Sequence, residues 1–159
     1  MPADQITLDR IAKLHPKVKQ QVQEMYMHAN NKILGKGVRL RFAQVLRSIE
    51  EQNKMYAQGR NGNPGDIITW ARGGSSYHNY GLAFDIVLLY DTDGNGTFEK
   101  ASWDEDENWM KVVAYFKSQG WKWGGDWAGK KRDPPHFEKS FGYSTAQLKL
   151  KMNGNYPAI

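Results

Sequence analysis

The chain has 159 residues, enough for one domain around one sizeable core, and its 40% hydrophobic and 25% charged content is that of an ordinary globular protein. It has no cysteine, which excludes disulfides, thiolate metal sites and a cysteine nucleophile. The net charge of +5 is spread along the sequence; it suits an anionic partner but lacks the like-charge block of a nucleic-acid arm, so no nucleic-acid partner is expected.

The N-terminus MPADQITLDRIAKLHPKVKQ has no apolar signal core, and no stretch approaches the ~18 apolar residues of a membrane span. The expectation is a protein made in the cytoplasm without a signal peptide and without membrane insertion. Val18, Val22, Met25, Ala29 and Ile33 recur at helical spacing behind Pro16, and Gly35 closes that helix. VRLRF alternates like a strand. Ser48 and Glu51 make a capping box that opens a helix. GRNGNPGD reads as a loop, IITW as a short strand and GLAFDIVLLY as the best strand of the chain.

DTDGNGTFEKAS is a polar loop, after which Ser102 and Glu105 suggest a second capping box. The helix behind it carries Trp109, Val112, Val113 and Phe116 on one face and stops at Gly120. WKWGG and HFEKS read as short strands, and STAQLKLKM as a last helix capped by Ser144. Helices lead and antiparallel-capable strands dominate the second half, which predicts an α+β domain with a small sheet and flanking helices over 1–159. The six Trp and eight Tyr exceed what a minimal core needs, so some are expected to line a cleft.

One residue conflicts with this pattern. Asp85 sits inside the apolar run Leu82–Tyr90, where an unpaired carboxylate costs several kcal/mol. Either an arginine pairs with it or a cation does. His78 lies seven residues before it and His136 enters a later strand. Two imidazoles and a carboxylate are enough for a catalytic zinc site with its fourth position left for water, and a bound cation would offset the cost of placing Asp85 there. His15 and His28, on the first amphipathic helix, read as ordinary structural residues.

The pattern SxHxxGxAxD is complete in Ser76, His78, Gly81, Ala83 and Asp85, and DxxH in Asp133 and His136. With RSIEEQNKMYAQGR and WGGDW, these motifs resemble the zinc D-alanyl-D-alanine carboxypeptidase (VanY-like) family. They are most similar to its branch of L-alanyl-D-glutamate endopeptidases, which includes phage endolysins; the similarity runs from about His15 to Phe141. The resemblance implies zinc on His78, Asp85 and His136, a general base at Asp133, and an arginine at Arg47 that binds substrate or stabilises an oxyanion. Before Arg-Ser the family often has Gly-Tyr, and this chain has Val45-Leu46. Ser76 is either a substrate contact or a turn-forming serine.

The implied function is zinc-dependent hydrolysis of the peptidoglycan stem peptide at the L-alanyl-D-glutamate bond. A D-alanyl-D-alanine carboxypeptidase or dipeptidase is the alternative within the class, and a non-catalytic wall- or calcium-binding module the alternative outside it. The expected form is a monomeric catalytic domain without a wall-binding domain. A phage or prophage endolysin, reaching the wall after holin-type release or lysis, fits best. Asp91, Asp93, Asn95 and Gly96 also match the opening of an EF-hand calcium loop, but its twelfth position is Ser102 rather than Glu. That loop is either a weak calcium site or a solvated turn.

Overall fold

An eight-residue strand with apolar side chains on both faces belongs in the middle of a sheet, and Ala83–Tyr90 lies there. The computed structural model describes residues 3–159. In chain order its helices are α1 (Gln5–Ile11), α2 (Pro16–His28), α3 (Ile49–Ala57), α4 (Glu107–Ser118) and α5 (Thr145–Leu150). The strands are β1 (Val38–Gln44), β2 (Ala83–Tyr90), β3 (Lys100–Ser102), β4 (Lys122–Trp123), β5 (His136–Glu138), β6 (Met152–Asn153) and β7 (Tyr156–Pro157). The main sheet is antiparallel in the order β1-β2-β5-β4. On the side of β2 away from β1, its first half pairs with β5 and its second half with β3. β6 and β7 form a separate hairpin. This is the α+β architecture expected from the sequence.

The outer edge of β1 is satisfied by side chains instead of another strand, one way to blunt an exposed edge. Thr7 of α1 accepts from the Phe42 N–H at 3.0 Å, and Asn30 accepts from the Leu40 N–H at 2.9 Å. Asn30 reaches that position because α2 continues as a π-helical turn over Ala29–Ile33. The core packs between sheet and helices. Phe42 and Phe84 stack at 4.4 Å between centroids, and Phe116 of α4 meets Phe84 and Phe137 edge-on. Each fully buried ring contributes about 1.5–3 kcal/mol, against about 1 kcal/mol for a helix cap. Packing of the Trp109, Val112, Val113 and Phe116 face, all buried, therefore holds α4 more than its ends do.

Two local expectations change. Ile67–Trp70 is not a strand; side chains rather than a ladder hold its backbone, with Arg60 Nη2 donating to the Thr69 carbonyl at 3.0 Å. The cap of α4 is Asp106, which accepts from the Trp109 N–H at 2.8 Å, and not Ser102. Ser102 instead ends β3, opposite Leu88, because the chain pairs with β2 before it turns into the helix. The boxes at Ser48 and Ser144 form as expected. Among the described residues, no helix is long and apolar enough to cross a membrane.

Candidate metal centre and active-site cleft

His78 is delivered by a 3₁₀ turn, Tyr77–Tyr80, that runs into β2. Ser76 caps this turn by accepting from the His78 N–H at 3.2 Å. Gly81 closes it with φ of +70°, and a Cβ there would lie 2.6 Å from the backbone nitrogen of His15. Any side chain at 81 would therefore push the turn off α2. Asn79 ties the turn to its surroundings: Oδ1 accepts from Gly74 N–H at 3.0 Å, and Nδ2 donates to the Arg47 carbonyl at 2.9 Å. Asp85 and His136 are register partners across β2 and β5. Opposite Asp85, β1 carries an irregularity between Phe42 and Gln44.

These elements bring three donor atoms together. His78 Nε2 lies 3.2 Å from Asp85 Oδ1, His136 Nδ1 lies 3.1 Å from the same oxygen, and the two ring nitrogens are 3.1 Å apart. Each histidine uses its other nitrogen elsewhere: His78 Nδ1 meets the Val45 carbonyl at 2.7 Å and His136 Nε2 meets Glu138 Oε1 at 2.8 Å. Since a carbonyl only accepts, His78 Nδ1 carries a hydrogen, so Nε2 is the nitrogen that would offer a lone pair to a metal. The contact with Glu138 favours the same division in His136. Tetrahedral zinc at about 2.0–2.1 Å from each ligand would space the ligands by about 3.3–3.4 Å. The observed separations are within a few tenths of an ångström of that, so the residues fit zinc.

The electrostatics agree. Burial pushes the Asp85 carboxyl pKa up, but attraction to His78 and hydrogen bonds from both imidazoles overcome it and hold the group well below the usual carboxylate range. Burial alone would lower the pKa of His136, but Asp85 and Glu138 raise it to about 9. The centre thus demands a positive charge, which a metal ion supplies as well as a proton. This answers the conflict at Asp85: the two imidazoles, and not an arginine at hydrogen-bond distance, meet the carboxylate.

The centre opens into a cleft of about 980 Å³ whose lining includes Arg47, Ser76 and Asp133. Asp133 starts the turn that delivers His136, whose N–H donates to the Asp133 carbonyl at 3.0 Å. WGG braces this turn: Trp123 Nε1 donates to the Pro134 carbonyl at 2.6 Å, and a Cβ on Gly124 would lie 2.3 Å from the Asp133 oxygen. Burial, then the nearby charge of Asp85, push the Asp133 pKa up, and His136, His78 and Arg47 oppose this. Arg47 is only 7% exposed. Its Nη1 donates to Gln52 at 2.7 Å, while its buried Nε has no partner among the described residues. The expected tryptophans are present in the lining as Trp70 and Trp127.

Two contacts of the site were not anticipated. Glu138 had a signal, since i and i+2 share a face of a strand and His136 was already a candidate. Gln52 had none, because the Thr69 hydroxyl and Ala71 carbonyl that its amide meets lie in a loop distant in sequence. His15 is structural, as expected: Nδ1 accepts from the Lys17 N–H at 3.0 Å and caps α2.

The second candidate loop is compact. Asp91 accepts from the N–H groups of Gly94 and Gly96 at 3.0 and 2.8 Å, Asp93 from that of Asn95 at 3.2 Å, and Asn95 from that of Thr97 at 2.7 Å. Glu99 joins Asp91 and Asp93, with one carboxylate oxygen of each within 4.8 Å of the others.

A His–Asp–His centre built from two adjoining strands and the turn before one of them, with a carboxylate and an arginine on the same cleft, defines a class of metallopeptidase. The D-alanyl-D-alanine carboxypeptidase family model matches residues 70–139, the segment that carries His78, Asp85, Asp133 and His136. The chain belongs to this family, in which zinc dependence is typical. Among individual proteins, it is 41% identical over 129 residues to the peptidoglycan L-alanyl-D-glutamate endopeptidase CwlK of Bacillus subtilis (strain 168), covering 79% of this chain and 72% of the relative.

Proposed function

We propose that the protein is a zinc-dependent peptidoglycan endopeptidase that cleaves the L-alanyl-D-glutamate bond of the stem peptide. The observation that carries this reading is the three-ligand centre lying on one cleft with Asp133 and Arg47, in a chain 41% identical to an enzyme of that specificity. Zinc held by His78, Asp85 and His136 would lower the pKa of a water molecule and polarise the scissile carbonyl. Asp133 takes the proton from the attacking water and returns it to the leaving amine. Burial raises its pKa, which makes it a stronger base than an ordinary aspartate. Arg47 donates to the carbonyl oxygen as negative charge develops there. Its place in the cleft lining supports that role.

Mass spectrometry of products from purified wall tests the reading. New N-terminal glutamate supports it; release of D-alanine supports the carboxypeptidase alternative, which the description of the matching family favours. The +5 charge suits approach to an anionic wall. An endolysin role, with a monomeric domain released to the wall at lysis, is part of the same proposal. Expression with and without a holin tests it, since only the pair should lyse cells. Calcium at Asp91, Asp93 and Asn95 is a further part, supported by the grouping of Glu99 with the two aspartates. Its role would be to order the loop that joins β2 to β3.

A further inference from the structure

We infer that Gln52 is a positioning residue that holds Arg47 and the 69–71 wall of the cleft as one unit. The inference rests on the role given to Arg47 in the proposed reaction. Gln52 lies on α3 with 0% exposure, and a primary amide placed there must have its bonds met. Oε1 accepts from Arg47 Nη1 at 2.7 Å. Nε2 donates to the Ala71 carbonyl at 2.7 Å and to Thr69 Oγ1 at 3.2 Å. Thr69 Oγ1 in turn accepts from the Ala71 N–H at 3.2 Å. One side chain therefore joins the buried arginine to a segment that has no strand ladder of its own.

That segment faces substrate space. Ile67, Ile68 and Trp70 are 43%, 53% and 50% exposed and all line the cleft. Trp70 Nε1 donates to the Lys130 carbonyl at 3.1 Å, which continues the chain of contacts to the opposite wall. Among the described residues, the guanidinium of Arg47 makes its single side-chain hydrogen bond to Gln52, so its direction depends on that amide. A misplacement of about 1 Å in a group that acts on the transition state can cost about a hundredfold in rate. Two effects follow from the two ends of Gln52: loss of the Oε1 contact loosens Arg47 and lowers kcat, while loss of the Nε2 contacts releases the wall and raises KM.

The test uses the zinc-loaded full chain on a soluble muropeptide. Gln52→Met, nearly isosteric but unable to make these bonds, should lower kcat by about tenfold to a hundredfold with zinc content retained. Gln52→Glu keeps an acceptor for Arg47; it should recover most of kcat yet show a raised KM, because a carboxylate cannot donate to Ala71. In an Arg47→Ala background, Gln52→Met should lower kcat no further. The Arg47 Nε–Hε resonance, sharp in the parent protein, should broaden in Gln52→Met. An active parent with normal turnover in Gln52→Met, additive losses in the double variant, or equal kcat losses in both Gln52 variants would overturn the role of Gln52. An inactive parent, or an Arg47→Ala variant with normal turnover, would overturn the functional reading itself.

Discussion

Asp85 and His136 face each other as register partners across β2 and β5, with His136 Nδ1 3.1 Å from Asp85 Oδ1. The sheet thereby fixes two of the three ligands before any metal binds, and the turn at Tyr77–Tyr80 adds His78 from the start of β2. Preformed ligands lower the ordering cost of binding. His78→Ala or His136→Ala should lose zinc and activity together, with the fold intact by circular dichroism. Glu138→Gln should keep the fold but weaken zinc affinity by about 10–100-fold, because His136 loses the charge that raises its basicity. Competition with a chelator of known affinity measures both. Unchanged zinc affinity in His136→Ala would remove it from the ligand set.

Asp133 is the separable group. It lines the cleft and contributes its backbone carbonyl to the His136 turn, and that contact survives substitution of the side chain. Asp133→Asn should therefore retain a full complement of zinc while turnover falls by about a hundredfold or more. Metal analysis and steady-state rates on the same preparation make the comparison. Turnover near that of the parent would exclude Asp133 as the base.

The site was legible where chemistry conflicted with pattern. Asp85 violated an apolar strand, and the cost of that violation pointed to partners. Helix faces such as Trp109–Phe116 were legible because burial follows a 3.6-residue period. The cap of α4 was misplaced because Ser102 and Asp106 both offer capping oxygens, and only pairing of β3 with β2 decides between them. Ile67–Trp70 has the composition of a strand, but no strand among the described residues pairs with it. Its true supports, Gln52 and Arg60, are side chains from α3 and the turn after it. The short β6–β7 hairpin and helix α1 carried no strong periodic signal. Each is fixed by distant contacts, as when Tyr156 donates to the Lys13 carbonyl at 2.7 Å.

The loop at Asp91, Asp93 and Glu99 lacks the closing bidentate glutamate of an EF-hand. Its carboxylates also already accept backbone N–H groups, which stabilise the loop without an ion. Calcium affinity should accordingly be weak, in about the 10⁻⁴–10⁻³ M range. Millimolar calcium should raise the melting temperature of the zinc-loaded protein, and the double variant Asp91→Ala with Asp93→Ala should abolish the rise while zinc content stays the same. No calcium-dependent shift in either protein would leave the loop as a solvated turn.

Far from the cleft, Asp4 clamps α1 onto β1. Its carboxylate receives two bonds of 2.9 Å from Arg41 and one of 2.6 Å from the Thr7 hydroxyl, and its N–H donates to the Tyr26 hydroxyl at 2.7 Å. Burial would raise its pKa, but the hydrogen bonds from Arg41 and Thr7 outweigh that and hold it below the ordinary 3.8. For a carboxyl lowered in the folded state, the unfolded chain binds the proton more readily as pH falls. The stabilisation is therefore complete above the ordinary aspartate range and disappears as pH drops through it toward the lower folded value. Asp4→Asn keeps shape but loses the charge-assisted pair, and should cost about 1–3 kcal/mol at neutral pH. Each kcal/mol corresponds to about 2–4 °C in Tm at this chain length. Thermal melts from pH 7 down to pH 3 should show parent and variant converging at the acid end. Parallel curves across that window would mean that the Asp4 pKa is the same in the folded and unfolded states and that the clamp owes nothing to its charge.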